Sequence, residues 1–286
     1  MRYSQLRAFH QVALHGGFSR AAEALNQTQP ALSDQVRKLE QAHDTLLFKR
    51  DHKQVQLTKA GEGLFRLTQQ FFEVEAAVGA YLSQSRASVH GTLRIVADSA
   101  LHITEVVQRF QASYPDVLIS VKTGNTEDVL TQLRNYEAEV GVVGNLEPAS
   151  DLVMHDLSAS PIIAIAAKGV LPSAQTDLHF DALTTQPLVF REPGSRTRQS
   201  MEAEAARRGC VLRPTIVVDG REAMLEVVAS GAGLGFVSEA ECGQDTRLHK
   251  LPIRDLNMTM RETLVHLSMR ADVPLVRAFM RCVSKQ

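Results

Sequence analysis

The fold of the N-terminal part is decided by residues 18–40, which read FSRAAEALNQTQPALSDQVRKLE. Apolar residues recur there at helical spacing, and residues 26–28 interrupt the pattern, so the segment predicts two short helices. The second helix is expected to begin at Gln29 with Pro30 in its first turn, where the missing proline N–H breaks no helical hydrogen bond. Two helices joined by a short turn, the second with an exposed polar face, predict a helix-turn-helix.

The residues before this segment supply the rest of a small helical core. Residues 5–14 predict a first helix that ends at the glycine pair 16–17, because glycine readily adopts the left-handed conformation of a helix C-terminus. Ser19 is a candidate N-cap of the next helix. Ala21 and Ala22 are small enough to let the helices cross closely, so that the following helix can protrude into a DNA major groove. A helical subdomain with an incidental turn is the alternative.

A basic hairpin is predicted directly after the helices. Residues 47–58 indicate a strand, a basic polar turn and a second strand. The first sixty residues contain nine basic and five acidic residues, although the whole chain carries a net charge of −1. The basic head and the acidic remainder are typical of a protein in which one part contacts phosphates and another does not.

Thirteen residues of the head are candidates for DNA contact. We expect Gln35 to be suited to reading adenine and Arg37 to reading guanine or holding phosphate. Thr28 and the basic residues of the hairpin should hold the DNA backbone. The full set is Ser19, Arg20, Thr28, Gln29, Pro30, Ser33, Asp34, Gln35, Arg37, Lys38, Lys49, Arg50 and Lys53.

The segment at 18–40, together with LLFKR at 46–50 and VQLTKAG at 55–61, resembles the winged helix-turn-helix of LysR-type transcriptional regulators. The resemblance covers about the first 65 residues. His43-Asp44 stands where the family usually has Leu-Gly, and Asp tolerates the left-handed conformation better than most residues. Lys53 stands where the wing commonly has Arg. The resemblance implies a DNA-binding transcription regulator with double-stranded promoter DNA as its partner, and no enzyme activity.

A long helix is predicted from residue 59, since some 25 residues pass with no proline and little glycine. Its apolar residues are spaced at three and four, as in a coiled-coil seam. A helix that packs only on its own domain is the alternative, whereas the resemblance implies pairing of two chains into a homodimer and of dimers into a homotetramer. The seam consists of Leu64, Leu67, Phe71, Val74, Val78 and Leu82.

Two sets of alternating strands and helices follow the polar stretch 83–91, which we interpret as a hinge. They predict two doubly wound α/β lobes with helices on both sheet faces, so the fold class is α/β overall behind an all-α-rich head. The resemblance implies an effector-binding domain similar to periplasmic binding proteins. The expected domains are 1–58, 59–90 and 91–286, with lobe one at 91–163 plus 265–286 and lobe two at 164–264.

The loops after the predicted strands are candidates for a small-molecule site. Hydroxyl groups and free backbone N–H groups at helix starts favour a small anion, and arginines near residue 191 add positive charge. Asp219 or Glu222 could hold an amine. The candidate effector-binding residues are Ser99, Ala100, His102, Asn125, Thr126, Asn145, Arg191, Ser195, Thr197, Arg198, Asp219 and Glu222.

Three segments of the acidic part resemble a LysR-type subgroup associated with the breakdown of 2-aminoethylphosphonate. They are GNTEDVL at 124–130, REPGSRTR at 191–198 and DGREAMLEVVASGAGLGFVSEAE at 219–241. The resemblance implies a phosphonate effector, and a small carboxylate is the alternative. Asp219-Gly220 departs from the Gly-Ser that the subgroup often has.

Several other classes of protein are disfavoured. The three cysteines are widely spaced, no histidine motif suggests a metal site, and no GxSxG nucleophile motif is present, so we expect no cofactor and no metal. No apolar run is long enough to span a membrane and the first residues do not resemble a signal peptide, so a cytoplasmic location is expected. The remaining alternatives are a binding protein or an α/β enzyme whose head serves only to dimerise it.

Overall fold

The computed structural model describes residues 1–49, 55–82, 89–172 and 175–283. The chain forms two compact units, Met1–Ala87 and Ser88–Gln286. Three sequence predictions fall outside the described residues. They are the phosphate contacts of Arg50 and Lys53, the side chain of Leu82 and most of the hinge at 83–91.

In its described residues, the N-terminal unit has four helices and a small antiparallel sheet. Its elements are α1 (Tyr3–His15), α2 (Phe18–Ala24), α3 (Gln29–Ala42), β1 (Phe48–Lys49), β2 (Gln56–Leu57) and α4 (Lys59–Leu82). Phe48 pairs with Leu57, which confirms the two strands of the predicted hairpin. The described part of the unit is therefore a winged helix-turn-helix followed by a long helix.

The inward face of α3 holds the three short helices together. Leu32, Val36 and Leu39 are buried and pack in one cluster with residues of α1 and α2 that include Phe9 and Ala21. The helix starts at Gln29 as predicted, and Thr28 caps it by accepting a hydrogen bond from the Ala31 N–H at 3.4 Å. Because these three apolar side chains face the core, the polar face of α3 turns outward.

The predicted capping role of Ser19 is wrong. Helix α2 begins two residues earlier than this cap predicts, at Phe18, so Ser19 lies exposed inside the helix and Gly17 occupies the capping position without a side chain. Gly16 does end α1, with a φ of 63°. Asp44 adopts a φ of 45° after α3, so the left-handed turn predicted for His43-Asp44 is confirmed.

A buried histidine joins α1 to α4, a contact that no sequence pattern indicated. The Nδ1 of His10 lies 3.0 Å from the Thr68 hydroxyl oxygen, and the imidazole packs against the rings of Phe65 and Phe72. Burial lowers the pKa of His10 to about 4. The long helix is therefore attached to the head through a neutral, hydrogen-bonded imidazole.

This attachment predicts a loss of stability in mild acid. Below pH 6.5 the unfolded chain protonates His10, whereas the folded chain does so only near pH 4, so the stability of the unit falls as the pH falls through that interval. The free energy of unfolding should decrease by up to about 1.4 kcal/mol per pH unit from this one group. Urea denaturation of the full chain at pH 7 and pH 5 should show a smaller pH effect in His10→Asn than in the exposed control His43→Asn. Equal pH effects in the two variants would contradict the prediction.

The C-terminal unit is an α/β structure of two lobes. Its strands are β3 (Gly91–Ala97), β4 (Val117–Thr123), β5 (Val140–Gly144), β6 (Leu152–Ala167), β7 (Leu188–Arg191), β8 (Pro214–Val218), β9 (Gly235–Ser238), β10 (Leu248–Pro252) and β11 (Thr259–Leu267). Its α-helices are α5 (Thr104–Ser113), α6 (Thr126–Arg134), α7 (Arg196–Arg207), α8 (Arg221–Ala229) and α9 (Pro274–Val283). The α/β class predicted from the alternating pattern is confirmed.

Lobe one is built on the parallel strands β4, β3 and β5, to which β11 adds an antiparallel strand. Helices α5 and α9 cover one face, where Phe110 meets Phe279 with ring centroids 5.4 Å apart. Helix α6 covers the other face through Val129 and Leu133. The C-terminal helix α9 thus packs on the first lobe.

Lobe two surrounds the second half of β6, which pairs with β9 on one side and β10 on the other. The strands β7 and β8 are parallel, and the Val189 N–H donates to the Leu234 carbonyl at 2.8 Å, which attaches them to the segment before β9. Alternate residues 162–167 of β6 face two different clusters, one including α7 and the other α8. Burial on both faces explains why this part of β6 is a continuous apolar run.

Two long antiparallel strands, β6 and β11, cross between the lobes. The sequence predicted neither β6 nor the shorter strand β10. The 16-residue strand β6 pairs with β11 through Leu152–Asp156 in lobe one and then through Ser158–Pro161, where the register shifts at Glu262/Thr263. The predicted lobe boundaries after residues 163 and 264 lie beside these crossings.

Among the described residues, no helix combines the length and apolarity needed to span a membrane.

Candidate functional site

The outer face of α3 carries most of the predicted DNA-contacting residues. Thr28, Gln29, Pro30, Arg37 and Lys38 are exposed, and Ser33, Asp34 and Gln35 are half-buried. Lys49 is exposed at the end of β1, and Ser19 and Arg20 are exposed on α2. The guanidinium of Arg20 donates to the Gly16 carbonyl at 2.8 Å and so also closes the end of α1.

The basic residues of this face are partly neutralised by a neighbour on the same helix. The carboxylate of Asp34 lies 2.6 Å from both the Arg37 guanidinium and the Lys38 ammonium group. The two hydrogen bonds, the one from Lys38 first and then that from Arg37, lower the pKa of Asp34. Arg37 and Lys38 must exchange this partner for phosphate or base atoms before they can contribute fully to DNA binding.

Removing Asp34 should therefore strengthen binding to DNA of any sequence. We expect Asp34→Asn to raise the affinity for non-specific duplex DNA. The slope of the logarithm of the DNA-binding constant against the logarithm of salt concentration should become more negative by about one. Fluorescence anisotropy over a range of salt concentrations measures both quantities. Asp44→Asn makes the same change in charge at the end of α3 and is the matched control. An unchanged salt slope in Asp34→Asn would show that the carboxylate does not restrain the cations.

The predicted seam of α4 divides into two parts. Leu64 is half-buried and packs against the core of the helix-turn-helix. The rest of the seam is exposed. Between 47% and 62% of the surface of each residue is accessible in the set Leu67, Phe71, Val74 and Val78, which all lie on one face of the helix. An exposed apolar stripe of this kind is a common mark of a protein–protein contact surface.

A cavity of about 450 Å³ lies between the two lobes of the C-terminal unit. Four of the predicted effector residues line it, namely Asn125, Arg191, Asp219 and Glu222. The lining also includes Asp98, Asp128, Glu192 and Arg221, which the sequence analysis did not assign to the site. The walls therefore carry more carboxylates than guanidinium groups.

An ion pair joins the lobes beside this cavity. The guanidinium of Arg191, at the end of β7, donates to Asp98, just after β3, at 2.8 Å and to Glu192 at 2.9 Å. Arg191 and Asp98 are nearly fully buried, with side chains 6% and 9% exposed. Burial opposes the charge of Arg191, but Asp98 and Glu192 outweigh burial and raise its pKa, so the guanidinium stays charged. Gly194 packs beside Asn125, where a Cβ would lie only 2.6 Å from the amide nitrogen.

Breaking this ion pair from one side should be costly. Arg191→Gln leaves Asp98 buried without its cation and should lower the free energy of unfolding by about 3–5 kcal/mol. Asp98→Asn in the Arg191→Gln background should recover part of the loss, giving a coupling energy of about 1–3 kcal/mol. Urea denaturation of the two single variants and the double variant measures the coupling. Strictly additive effects would contradict a direct interaction.

The predicted hydroxyl groups have different surroundings. Ser99 and Ser195 are buried caps that accept hydrogen bonds from the N–H groups of Leu101 and Arg198. The cap of α6 is Asn125 rather than Thr126, and the Thr126 Oγ1 is buried with no hydrogen-bond partner among the described residues. The Nε of Arg191 is also buried without such a partner.

The remaining candidates do not all meet at the main cavity. Ser195, Thr197 and Arg198 line a space of only about 10 Å³. The amide of Asn145 bonds to the backbone of Thr259 and Arg261, beside a separate cavity of about 960 Å³. Ala100 begins a short 3-10 turn that carries His102, whose imidazole lies in a buried acidic cluster. These candidates therefore do not all line one cavity.

The three arginines at residues 191–198 have different hydrogen-bond partners. Arg191 is paired with two carboxylates, Arg198 donates to Glu202 and to the Arg191 carbonyl, and Arg196 donates to Gln199. Sequence spacing places these residues in one loop but does not show which neighbours use their donors. The Nε atoms of Arg191 and Arg196 have no hydrogen-bond partner among the described residues, and the side chain of Arg191 lines the cavity.

Comparison with protein families assigns both units. Residues 3–62 match the bacterial regulatory helix-turn-helix protein, lysR family, and residues 86–286 match the LysR substrate binding domain. The chain belongs to the LysR family of transcriptional regulators. It is thus a DNA-binding regulator with an effector-binding domain, and its family members form oligomers. The relatives are transcriptional regulators and not enzymes.

Individual relatives agree with this assignment. The chain is 30% identical over 240 residues to the RuBisCO operon transcriptional regulator of Allochromatium vinosum, covering 82% of this chain and 78% of the relative. It is 28% identical over 246 residues to the transcriptional activator IlvY of Salmonella typhimurium, covering 84% and 83%.

Solved structures support the fold. A full-length OxyR variant from Pseudomonas aeruginosa aligns with a TM-score of 0.78 at 18% identity, covering 100% of this chain and 95% of that one. Full-length CbnR complexed with its target DNA aligns with a TM-score of 0.65 at 17% identity, covering 100% and 99%.

Proposed function

We propose that this LysR-type regulator reads operator DNA with α3 and responds to a small zwitterion held between its two lobes. The observation that carries the ligand proposal is the cavity of about 450 Å³, whose walls combine surplus carboxylates with a buried guanidinium donor. A zwitterion satisfies both features, since its cation offsets the carboxylates and its anion meets the donors.

The DNA part of the proposal assigns a role to each exposed group. Gln35 and Arg37 contact base edges or flanking phosphates, while Thr28 and Lys49 contact the DNA backbone. The apolar stripe of α4 from Leu67 to Val78 pairs with the same stripe of a second chain. Two linked heads then bind one operator more tightly than a single head of modest charge. Since its DNA target lies in the cytoplasm of a bacterium, we place the protein there.

The cationic end of the ligand is assigned to the acidic wall. Asp219 and Glu222 are exposed at the start of α8, and Asp128 lies at the start of α6 across the same cavity. An ammonium group in this position gains charge-assisted hydrogen bonds. A ligand with only a carboxylate makes no favourable contact with this acidic wall and is repelled by its negative charge. We therefore favour a zwitterion over the small carboxylate that the sequence left as an alternative.

The anionic end is assigned to the end of β7 and the start of α6, where Arg191 and Asn125 line the cavity. The Thr126 Oγ1 and the Arg191 Nε are buried donors that lack partners among the described residues. The first turn of α6 adds partial positive charge to Thr126. A phosphonate or carboxylate group of the ligand would satisfy these donors, and 2-aminoethylphosphonate carries both required charges on a short chain.

A ligand that contacts both lobes can act as a switch. Asp98 and Arg191 already hold the lobes together at one edge of the cavity. A zwitterion between α6 and α8 adds further contacts that exist only when the lobes are close. Such a ligand shifts the population toward the closed arrangement by the difference in its affinity for the two arrangements.

Isothermal titration of the full chain with 2-aminoethylphosphonate tests the ligand assignment. Ethylphosphonate lacks the amine and should bind at least about tenfold more weakly, because it loses a hydrogen bond to a charged group. Asp219→Asn combined with Glu222→Gln should weaken the zwitterion by a similar factor without weakening ethylphosphonate. Glu127→Gln, an exposed change on α6 that is not part of the cavity wall, is the matched control.

The outcomes separate the two parts of the proposal. Equal binding of ethylphosphonate and the zwitterion would contradict a cation site at Asp219 and Glu222. Binding of neither compound, together with binding of an α-amino acid, would retain the zwitterion but exclude the phosphonate. DNA binding is measured separately and does not depend on either result.

A further inference from the structure

A buried cluster of metal-ligating side chains lies outside the ligand cavity. It consists of His102, which follows β3 in lobe one, Glu241, which follows β9 in lobe two, and Glu262 on the crossing strand β11. Their side chains are only 6%, 4% and 3% exposed. The residues are far apart in the sequence and form no local motif, so sequence spacing could not reveal the cluster.

The ligand atoms are close enough to share one cation. The Nε2 of His102 lies 3.5 Å from the nearer oxygen of Glu241 and 4.0 Å from that of Glu262, and all three atoms lie within 4.8 Å of one another. Nitrogen and oxygen ligands sit at about 2.0–2.2 Å from an ion such as zinc, so that neighbouring ligands are separated by roughly 3–4 Å. Small side-chain adjustments would bring the three atoms to that spacing.

The Nε2 of His102 and one of the two carboxylate oxygens of Glu262, Oε2, are buried without a hydrogen-bond partner among the described residues. The other ring nitrogen of His102, Nδ1, lies 3.2 Å from the Ser158 hydroxyl oxygen. If Nδ1 donates its proton to Ser158, the lone pair of Nε2 faces the two carboxylates. This is the way an outer hydrogen bond orients a metal-binding histidine.

The charge around the cluster also favours a cation. The buried network that links it to the lobe-bridging ion pair contains the carboxylates of Asp98, Glu192, Glu241 and Glu262, whereas its guanidiniums are those of Arg191 and Arg221. The carboxylates of this group outnumber its guanidiniums by two. One divalent cation would offset the excess.

We propose that His102, Glu241 and Glu262 bind one divalent first-row transition-metal ion, such as Zn²⁺ or Mn²⁺. An imidazole with two carboxylates suits these ions better than Mg²⁺ or Ca²⁺, which favour oxygen ligands alone. Ser158 orients His102, and the Arg221 guanidinium, 2.5 Å from Glu241 Oε1, orients that carboxylate. The remaining coordination positions are left for water.

A bound ion would also act on the lobes. His102 and Glu241 belong to different lobes, so an ion shared between them stabilises the closed arrangement. The same Arg221 lines the ligand cavity. Metal binding should thus favour the arrangement in which the ligand contacts both lobes, although the site itself requires no organic ligand.

The test uses the full-length, untagged protein after removal of metals by chelation and dialysis. Calorimetric titration with Zn²⁺ should show one tight site per chain, and Co²⁺ should give the visible absorption of an ion held by nitrogen and oxygen ligands. His102→Ala and Glu262→Gln should each weaken Zn²⁺ binding by at least about a hundredfold. Glu241 is left unchanged because its loss would leave Arg221 buried without its carboxylate.

A matched control excludes binding to other histidines. His179→Ala removes an imidazole that is 61% exposed and lies 3.8 Å from Asp255, and it should leave the tight site intact. Circular dichroism establishes that each variant folds. Glu262→Gln keeps the shape of the side chain and remains informative if His102→Ala fails to fold.

Two results would overturn the proposal. One is tight Zn²⁺ binding that survives both His102→Ala and Glu262→Gln. The other is the lack of any stoichiometric Zn²⁺ in the unaltered protein. Neither result depends on the zwitterion experiment, because these titrations contain no organic ligand.

Discussion

The inward burial of one side of α3 is the constraint on which the DNA-binding surface depends. Leu32, Val36 and Leu39 lie on one side of the helix and fill the core against α1 and α2. The small Ala21 permits close packing of the helices. The polar residues between these apolar positions are therefore forced outward, so the core of the head determines which side chains can reach DNA.

A comparable constraint organises the C-terminal unit. The long strands β6 and β11 run through both lobes and place their ends on either side of one cleft. Buried charges then hold the cleft together, with Asp98 and Arg191 on one side and Arg221 and Glu241 nearby. Buried ion pairs of this kind contribute modestly to stability but strongly to the geometry of the groups around them. The ligand cavity and the acidic cluster share this network.

The sequence was informative where local pattern decides structure. Helix spacing and Pro30 located α3, and alternating strands and helices indicated two α/β lobes. The sequence was less informative where tertiary contacts determine the structure. Helix α2 begins at Phe18, because packing rather than a cap by Ser19 determines where it begins. Arg191 pairs with Asp98, a carboxylate that is distant in sequence, and His10 and His102 have buried partners that no spacing could reveal.

The central claim is that the outer face of α3 reads duplex DNA, and binding of the full chain to duplexes selected from a random pool tests it most directly. The account predicts enrichment of a defined sequence, affinity that falls steeply with salt, and loss of sequence preference in the double variant Gln35→Ala with Arg37→Ala. Gln41→Ala, an exposed change at the end of the same helix, should retain the preference. Failure to bind duplex DNA at low salt, or unchanged selectivity in the double variant, would contradict it.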